Sequence, residues 1–158
     1  MGFAHVRRHP RSRARRLAAV AGDRTVVTRW VAPAPAHGSW APYLEAWPFA
    51  DVAPDDRLFD VVDELQDPAA TVVTAPTFGK WPALEAVTGP TPHLVLAGVA
   101  TDCCVISTAL AAADAGATIT IVSDACAGST PENRAAALHV MGLYPPQITI
   151  ATAAEVLA

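Results

Sequence analysis

From about residue 24 onward, short runs rich in β-branched residues alternate with longer segments of helical spacing. This alternation is typical of βα units, in which helices connect parallel strands and cover the faces of the sheet. Five runs have strand character, at residues 25–31, 71–73, 93–99, 117–125 and 147–151. The sequence therefore predicts an α/β fold with a mostly parallel sheet flanked by helices.

Helices are predicted between these strands from apolar spacing and from signals at their ends. Residues 101–115 are alanine-rich and stop before Gly116, and residues 131–141 begin after a Ser-Thr-Pro cap. Residues 55–65 also carry apolar side chains at helical spacing and are predicted to form a helix. Residues 32–54, which are rich in proline, are predicted to form a long irregular connection of the kind that often walls a site.

The chain has 158 residues, of which 52% are apolar and 16% charged, so a single domain over residues 1–158 is expected. Six of the 11 basic residues lie in residues 1–16, which contain no acid, while the remainder has five basic and 15 acidic residues. The basic segment is either the solvated face of a helix over residues 4–21 or an arm for nucleic acid or targeting. The acidic remainder argues against a nucleic-acid-binding body.

Cysteine, histidine and glycine patterns exclude several classes of protein. The three cysteines are an odd number, two of them are adjacent, and none shows zinc-ligand spacing, so a disulfide scaffold is not expected. Scattered histidines predict no metal site, and the absence of a phosphate-cradling glycine loop predicts no nucleotide cofactor. No apolar run reaches the roughly 18 residues of a membrane span, and the start lacks a secretory apolar core. We expect a cytoplasmic protein.

The turn between the strand at 93–99 and the helix that follows it is the first place to expect chemistry. Open parallel sheets bind ligands beyond the carboxyl ends of their strands, and Cys103 and Cys104 lie in this turn. The start of a helix lowers the pKa of a thiol and offers amide groups to an oxyanion. The position suits a nucleophile, although a free cysteine here can equally be a small buried packing residue.

The residues around this turn carry a family resemblance. Residues 98–117, which begin GlyValAlaThrAspCysCysVal, together with ValSerAspAlaCysAlaGly (122–128), resemble the signature of the isochorismatase-like cysteine hydrolases. The likeness continues upstream through ThrPheGlyLysTrp (77–81) and residues 24–33. It covers nearly everything from residue 17 to the C terminus.

The resemblance implies a Rossmann-like three-layer sandwich that hydrolyses C–N bonds of small amides through a Cys-Lys-Asp triad. It places the nucleophile, which forms a thioester, at Cys104. It also implies a non-proline cis peptide at Val99-Ala100 and an oxyanion hole made by the amides of Ala100 and Cys104. Asp102 is interpreted as a local hydrogen-bond holder. A homodimer or higher homo-oligomer is implied as well.

Other residues near the motifs have two interpretations each. Cys103 occupies the variable position of the signature and Cys126 follows a strand, and both are interpreted as packing residues. Five aromatic residues either wall a substrate pocket or pack in the core: Trp30, Trp40, Trp47, Phe49 and Trp81.

The sequence departs from the family pattern at two catalytic positions. The family lysine maps to Ala75, and the single lysine of the chain, Lys80, is either its replacement or an ordinary solvated charge. The family acid ends a first β-strand, yet no acid precedes Asp23 and no strand pattern precedes residue 24. In the family that strand is central, so its loss would leave two sheet edges unpaired and an apolar face exposed.

These departures leave two explanations open: a reading frame that starts upstream, or a shortened relative that has lost its triad. Two functions follow. The first is a cysteine hydrolase acting on a small-molecule amide with Cys104 and Lys80 as catalytic residues, and without nucleic-acid or membrane partners. The second is a catalytically silent relative with a binding or structural role. Hydrolysis of a vinyl ether is a third, less favoured function, because nothing in the chain suits a dicarboxylate.

Overall fold

Helices and parallel strands alternate along residues 8–21 and 24–158, the part of the chain that this computed structural model describes. The elements are α1 (Arg8–Ala21), β1 (Val26–Trp30), α2 (Trp40–Ala46), β2 (Thr71–Ala75), α3 (Trp81–Thr88), β3 (His93–Val99), α4 (Ile106–Asp114), β4 (Thr118–Ala127), α5 (Pro131–Met141), β5 (Ile148–Ala151) and α6 (Ala153–Val156). The bounds of β3 and α5 are those predicted from the sequence. The other predicted strands differ from the observed ones by at most two residues at either end.

All strand pairs among the described residues are parallel. β1 pairs with β2 from Val26 opposite Thr71 to Trp30 opposite Ala75, while β4 pairs with both β3 and β5. Parallel pairing requires crossover connections, which the helices between the strands provide. The predicted α/β fold is therefore confirmed.

The main core lies around β4. Ile119 and Ile121 of β4 have no exposed surface, and Met141 of α5 and Ile148 of β5 are equally buried, at 0% and 2%. Alanines of α4 pack into the same cluster. Alanine has the highest helix propensity and the smallest side chain that favours a helix, so α4 lies close against the sheet without strain.

The strands form two sheets in the described part of the chain, one of β1 and β2 and the other in the order β3-β4-β5. β1 and β3 therefore each have an edge without a partner strand there. Val95 and Val99 of β3 are about half exposed, at 47% and 50%, and so is Val72 of β2, at 52%. A strand placed between β1 and β3 would pair with both of these edges.

The pairing of β3 with β4 contains an irregularity that shapes the end of the sheet. Leu96 is opposite Ile121, but the next pair is Gly98 with Cys126, so β4 has three more residues than β3 between these pairs, while Val122 keeps its pairing with Ala151 of β5. Arg134 of α5 donates from Nη2 to the Ser123 carbonyl at 2.6 Å. Its Nε donates to the Cys126 carbonyl at 3.0 Å. The irregular part of β4 is thus tied down from the side of α5.

The prediction of a helix over residues 55–65 is wrong. Two single turns, Arg57–Phe59 and Asp63–Leu65, stand there instead, separated by extended backbone. The Asp56 side chain accepts from the Leu58 amide at 2.8 Å, which closes the first turn locally. The segment buries Phe59, at 5% exposure, but leaves Leu58 49% exposed. The segment is therefore held by one buried side chain rather than by an apolar stripe. A continuous helix would bury no further apolar side chain.

The basic segment forms α1 as far as the structure describes it, while Arg7 and the residues before it lie outside the described part. Leu17 packs on the cluster beside β4 and α6. Arg13 Nε pairs with Asp124 Oδ2 at 2.9 Å, and Arg11 with Glu64 at 3.8 Å. Val20 is 69% exposed. The described helices include none that is long and apolar enough to cross a membrane.

Replacement of a core residue of β4 tests this arrangement. Ile121→Ala should lower the free energy of unfolding by about 3 kcal/mol, because it loses buried apolar contact and leaves a cavity at a site with no exposed surface. Leu143→Ala, at a side chain that is 66% exposed, is the matched control. It should change the free energy by less than about 0.5 kcal/mol. Urea denaturation measures both, and equal losses would contradict the assigned core.

Candidate active site

The first turn after β3 places Cys104 at the carboxyl end of the sheet. Residues Thr101–Val105 form a wide helical turn before α4, and the amides of Cys103 and Val105 both donate to the Ala100 carbonyl at 3.1 Å. The peptide bond between Val99 and Ala100 is cis, which confirms this detail of the resemblance. The turn therefore brings the Ala100 backbone and Cys104 together.

The sulphur of Cys104 receives two hydrogen bonds from its own turn. The Cys103 thiol donates to it and contributes most to lowering the pKa of Cys104, which falls to about 6 although burial opposes the shift. The Lys80 ammonium and the Ala100 amide lower the pKa further, whereas Asp102 raises it. The same bond raises the pKa of the Cys103 thiol far above its ordinary value.

Lys80 is buried rather than solvated, with only 3% of its surface exposed. Its Nζ donates to the carbonyls of Thr77 and Phe78, at 2.5 and 2.9 Å. Burial lowers the pKa of Lys80, and the thiols of Cys104 and Cys103 oppose that shift. The structure thus brings Lys80 and Cys104 into one electrostatic site.

Asp102 is engaged by the loop before α5. It accepts the Ser129 amide at 2.8 Å and the Ser129 hydroxyl at 2.5 Å. Burial raises the pKa of Asp102, but these bonds outweigh it and hold that pKa below its usual value. A side chain on Gly128 would clash, since its Cβ would lie 2.7 Å from both Asp102 Oδ1 and Arg134 Cβ. The Asp102 carboxylate therefore holds the loop of Ser129 through hydrogen bonds, which is the local role predicted for it from the sequence.

Four of the five predicted aromatic residues belong to one group of touching rings. The Trp30 and Trp40 rings stack at 5.9 Å between centroids, and Trp47 lies 6.2 Å from Phe49. Trp81, the fifth, is 5% exposed and packs in the main core instead. It lies in α3 and follows Lys80 in the sequence, whereas the residues of the ring group precede Lys80.

The two residues that connect these rings were not among the predicted pocket residues. Phe78 lies 4.9 Å from Trp40 and 5.5 Å from Tyr43, and Tyr43 lies 6.3 Å from Trp47. Phe78 also supplies a carbonyl to Lys80. Burial raises the pKa of Tyr43, and the charges of Cys103 and Cys104 raise it further. The spacing of Trp40 and Tyr43, three residues apart in one helix, was the available signal for Tyr43.

Other positions named from the sequence are less involved. Cys126 is 2% exposed, and burial raises the pKa of its thiol to about 11. Ala75, where the family lysine maps, is 5% exposed at the end of β2. Asp23 lies outside the described residues. No group of three metal-ligating side chains occurs in the described part of the chain.

Two surface cavities lie away from this site. One, of about 390 Å³, is lined by α1, Asp124 and the C-terminal residues. The other, of about 550 Å³, is lined by α1 and Glu64. Neither contacts Cys104 or Lys80, so the candidate site is identified from its chemistry rather than from the depth of a pocket.

Solved structures share the fold at low sequence identity. An isochorismatase family protein from Desulfovibrio vulgaris superposes with a TM-score of 0.73 at 19% identity, over 93% of this chain and 82% of that one. N-carbamoylsarcosine amidase from Thermoplasma acidophilum gives 0.69 at 20% identity, over 96% and 90%. A Leishmania major protein provisionally named MAR1 ribonuclease gives 0.67 at 18% identity, over 94% and 68%. No curated protein matches the chain.

A family model identifies the chain more directly than these superpositions do. The model described as the isochorismatase domain matches residues 5–155, nearly the whole chain. The match includes the turn that carries Cys104, the loop that carries Lys80 and every strand of the described structure. The protein therefore belongs to the isochorismatase domain family and has its hydrolase fold.

Proposed function

We propose that the protein is a cysteine hydrolase that cleaves a small amide, or a related C–N bond, through a thioester at Cys104. The surroundings of the Cys104 sulphur support this most directly. A thiol, a backbone amide and a buried ammonium lower its pKa to about 6. Nucleophilic catalysis by cysteine requires the thiolate, and these groups supply it near neutral pH.

In the first step, the Cys104 thiolate attacks the amide carbonyl carbon, and the C=O electron pair moves onto oxygen. The amides of Ala100 and Cys104 are the donors that we assign to this oxyanion. Because the sulphur is already ionised, the attack does not need a carboxylate to remove a proton. That is the task which the resemblance gives to the family acid, and Asp102 is held by Ser129 instead.

In the second step, the tetrahedral intermediate collapses, the C–N bond breaks and the nitrogen takes up a proton as it leaves. We assign Lys80 as the donor, since burial lowers its pKa and so makes its ammonium a stronger acid. Water then attacks the thioester carbonyl and releases a carboxylic acid. Lys80 accepts the proton from this water, and Cys104 leaves as the thiolate.

The substrate is a small molecule that reaches Cys104 past Tyr43 and the rings of Trp30, Trp40, Trp47 and Phe49. One neighbour in fold is named N-carbamoylsarcosine amidase, so amides and N-carbamoyl compounds are the first substrates to test. We further propose a cytoplasmic homodimer or higher homo-oligomer that needs no cofactor and has no nucleic-acid or membrane partner. The family resemblance supports the homo-oligomer.

A catalytically silent relative with a binding or structural role is the second candidate. Ala75 stands where the family lysine maps and cannot carry a charge. The Lys80 ammonium is occupied by two carbonyls of its own loop. The Asp102 carboxylate raises the pKa of the Cys104 thiol and so disfavours its ionisation. These observations favour a protein that retains the fold without turnover.

The reactivity of Cys104 towards iodoacetamide should depend on pH with a midpoint near 6, the value to which its pKa is lowered. Below the midpoint the sulphur is protonated and reacts slowly, and above it the rate levels off because the thiolate is fully formed. Peptide mass spectrometry separates Cys104 from the other two cysteines.

Cys103→Ala provides the control for this profile, because it removes the largest of the lowering effects. The midpoint of Cys104 should then rise toward the value of about 8.5 for an ordinary thiol. Cys126, whose pKa is about 11, should stay unreactive throughout the neutral range. A wild-type midpoint equal to that of a free thiol would favour the silent relative.

Substitution of the nucleophile tests turnover itself. Cys104→Ser should abolish hydrolysis of any primary amide or N-carbamoyl compound that the wild type cleaves, since a hydroxyl without a strong base is a weak nucleophile. Lys80→Met, which keeps the length of the side chain, should lower kcat by about 100-fold. Ammonia release measures the rate, and intact mass detects the acyl adduct.

Leu143→Ala is the control in this assay, because the side chain is exposed and lies after α5, away from the site. It should retain the full wild-type rate. Activity that persists in Cys104→Ser, or the absence of both turnover and adduct in the wild type across the panel, would contradict the hydrolase.

A further inference from the structure

The hydroxyl of Thr108 joins the two segments that carry the charged groups of the site. Thr108 Oγ1 donates to the Cys104 carbonyl at 2.7 Å, a common bond for a helical threonine and the residue four before it. The same oxygen accepts the backbone amide of Lys80 at 3.0 Å, across 28 residues of sequence. Thr108 is 5% exposed, so water does not readily replace it.

The loop of residues 77–80 lies against α4 at short range. A Cβ on Gly79 would lie 3.2 Å from the Ser107 carbonyl oxygen, closer than most side chains approach a backbone. Glycine at this position therefore permits the contact. The bond from the Lys80 amide to Thr108 fixes the loop in this place.

The Lys80 ammonium moves with this loop because its partners belong to it. Nζ donates to the carbonyls of Thr77 and Phe78. Among the described residues, Lys80 Nζ makes no hydrogen bond to α4 or to the Cys104 turn. The separation between the ammonium and the Cys104 sulphur consequently depends on where the loop sits.

Four groups with titratable protons face the Cys104 sulphur from the elements around it. Cys103 and Asp102 lie in its own turn, Lys80 precedes α3, and Tyr43 lies in α2. Lys80 alone among these four carries a positive charge. Displacement of the loop would therefore remove the attraction of a cation from the thiolate and leave the other three groups in place.

We propose that Thr108 is a positioning residue, whose hydroxyl holds the Lys80 loop so that the ammonium stays beside the Cys104 sulphur. The inference rests on the proposed function, in which that sulphur is the nucleophile. Thr108 itself touches neither the sulphur nor a substrate in this role. Its effect is transmitted through the backbone of Lys80 and the carbonyl of Cys104.

The test is the pH profile of Cys104 alkylation by iodoacetamide in the full chain. Thr108→Val keeps the shape of the side chain but lacks the hydroxyl, and should raise the midpoint and slow alkylation at pH 6.5 by about threefold or more, as the thiolate fraction falls. Thr108→Ser keeps the hydroxyl and should react as the wild type does. A purely structural role would not shift the profile.

A double mutant separates the action through Lys80 from a general loosening. In Lys80→Met the cation is already absent, so adding Thr108→Val should leave the midpoint of the single mutant unchanged. Should Thr108→Val fail to fold, Gly79→Ala moves the same loop away from α4 and should raise the wild-type midpoint in the same direction.

An unchanged profile in Thr108→Val, or in Gly79→Ala, would overturn the positioning role while leaving the nucleophile intact. A further rise on adding Thr108→Val to Lys80→Met would overturn it as well. A wild-type midpoint equal to that of a free thiol would instead overturn the proposed function, and this inference with it.

Discussion

The candidate site depends on a half-buried thiol, Cys104, whose pKa is lowered to about 6 although burial opposes the shift. Removing an ion from water is unfavourable unless nearby groups compensate for the lost hydration. Here the compensation comes from the Cys103 thiol, the Lys80 ammonium and the Ala100 amide, in that order of effect. The Cys103 thiol and the Ala100 amide belong to the same turn as Cys104, whereas Lys80 comes from a distant loop, so the full lowering of the pKa requires the folded chain.

The fold supplies these groups through contacts that lie outside the turn itself. Asp102 ties the turn to the loop before α5 through Ser129, where Gly128 leaves no room for a side chain. Thr108 ties α4 to the loop of Lys80. The start of α4 is therefore held from two sides, which keeps Cys104 at the carboxyl end of the sheet.

Much of the fold was predictable because strands and helices here obey local rules. The apolar run at 93–99 is a strand with the predicted bounds, and the Ser-Thr-Pro signal marks the start of α5, where the Thr130 side chain accepts from the Asn133 amide. The segment at 55–65 has the local pattern of a helix yet packs through Phe59 alone. Tertiary burial overrides periodicity in that segment.

The candidate site was predictable only in part. The position of the proposed nucleophile follows from the strand-turn-helix order, and the family resemblance assigns Cys104 rather than Cys103. The hydrogen bond between the Cys103 and Cys104 thiols depends on side-chain directions, which residue spacing does not give. The same is true of the contacts that Tyr43 and Phe78 make in the aromatic group. Trp81 had the same two interpretations from the sequence as Trp30 and Trp40, pocket wall or core, and it packs in the core.

The sequence by itself determined the alternation of strands and helices and the parallel fold, because these depend on spacing along one chain, and its motifs carried the resemblance to the family. Tertiary structure decided that Lys80 is buried next to Cys104 rather than solvated, since the carbonyls of its loop and the hydroxyl of Thr108 hold it there. It also decided that the described strands form two sheets. Both outcomes depend on contacts between distant segments, whose free energies no local pattern contains.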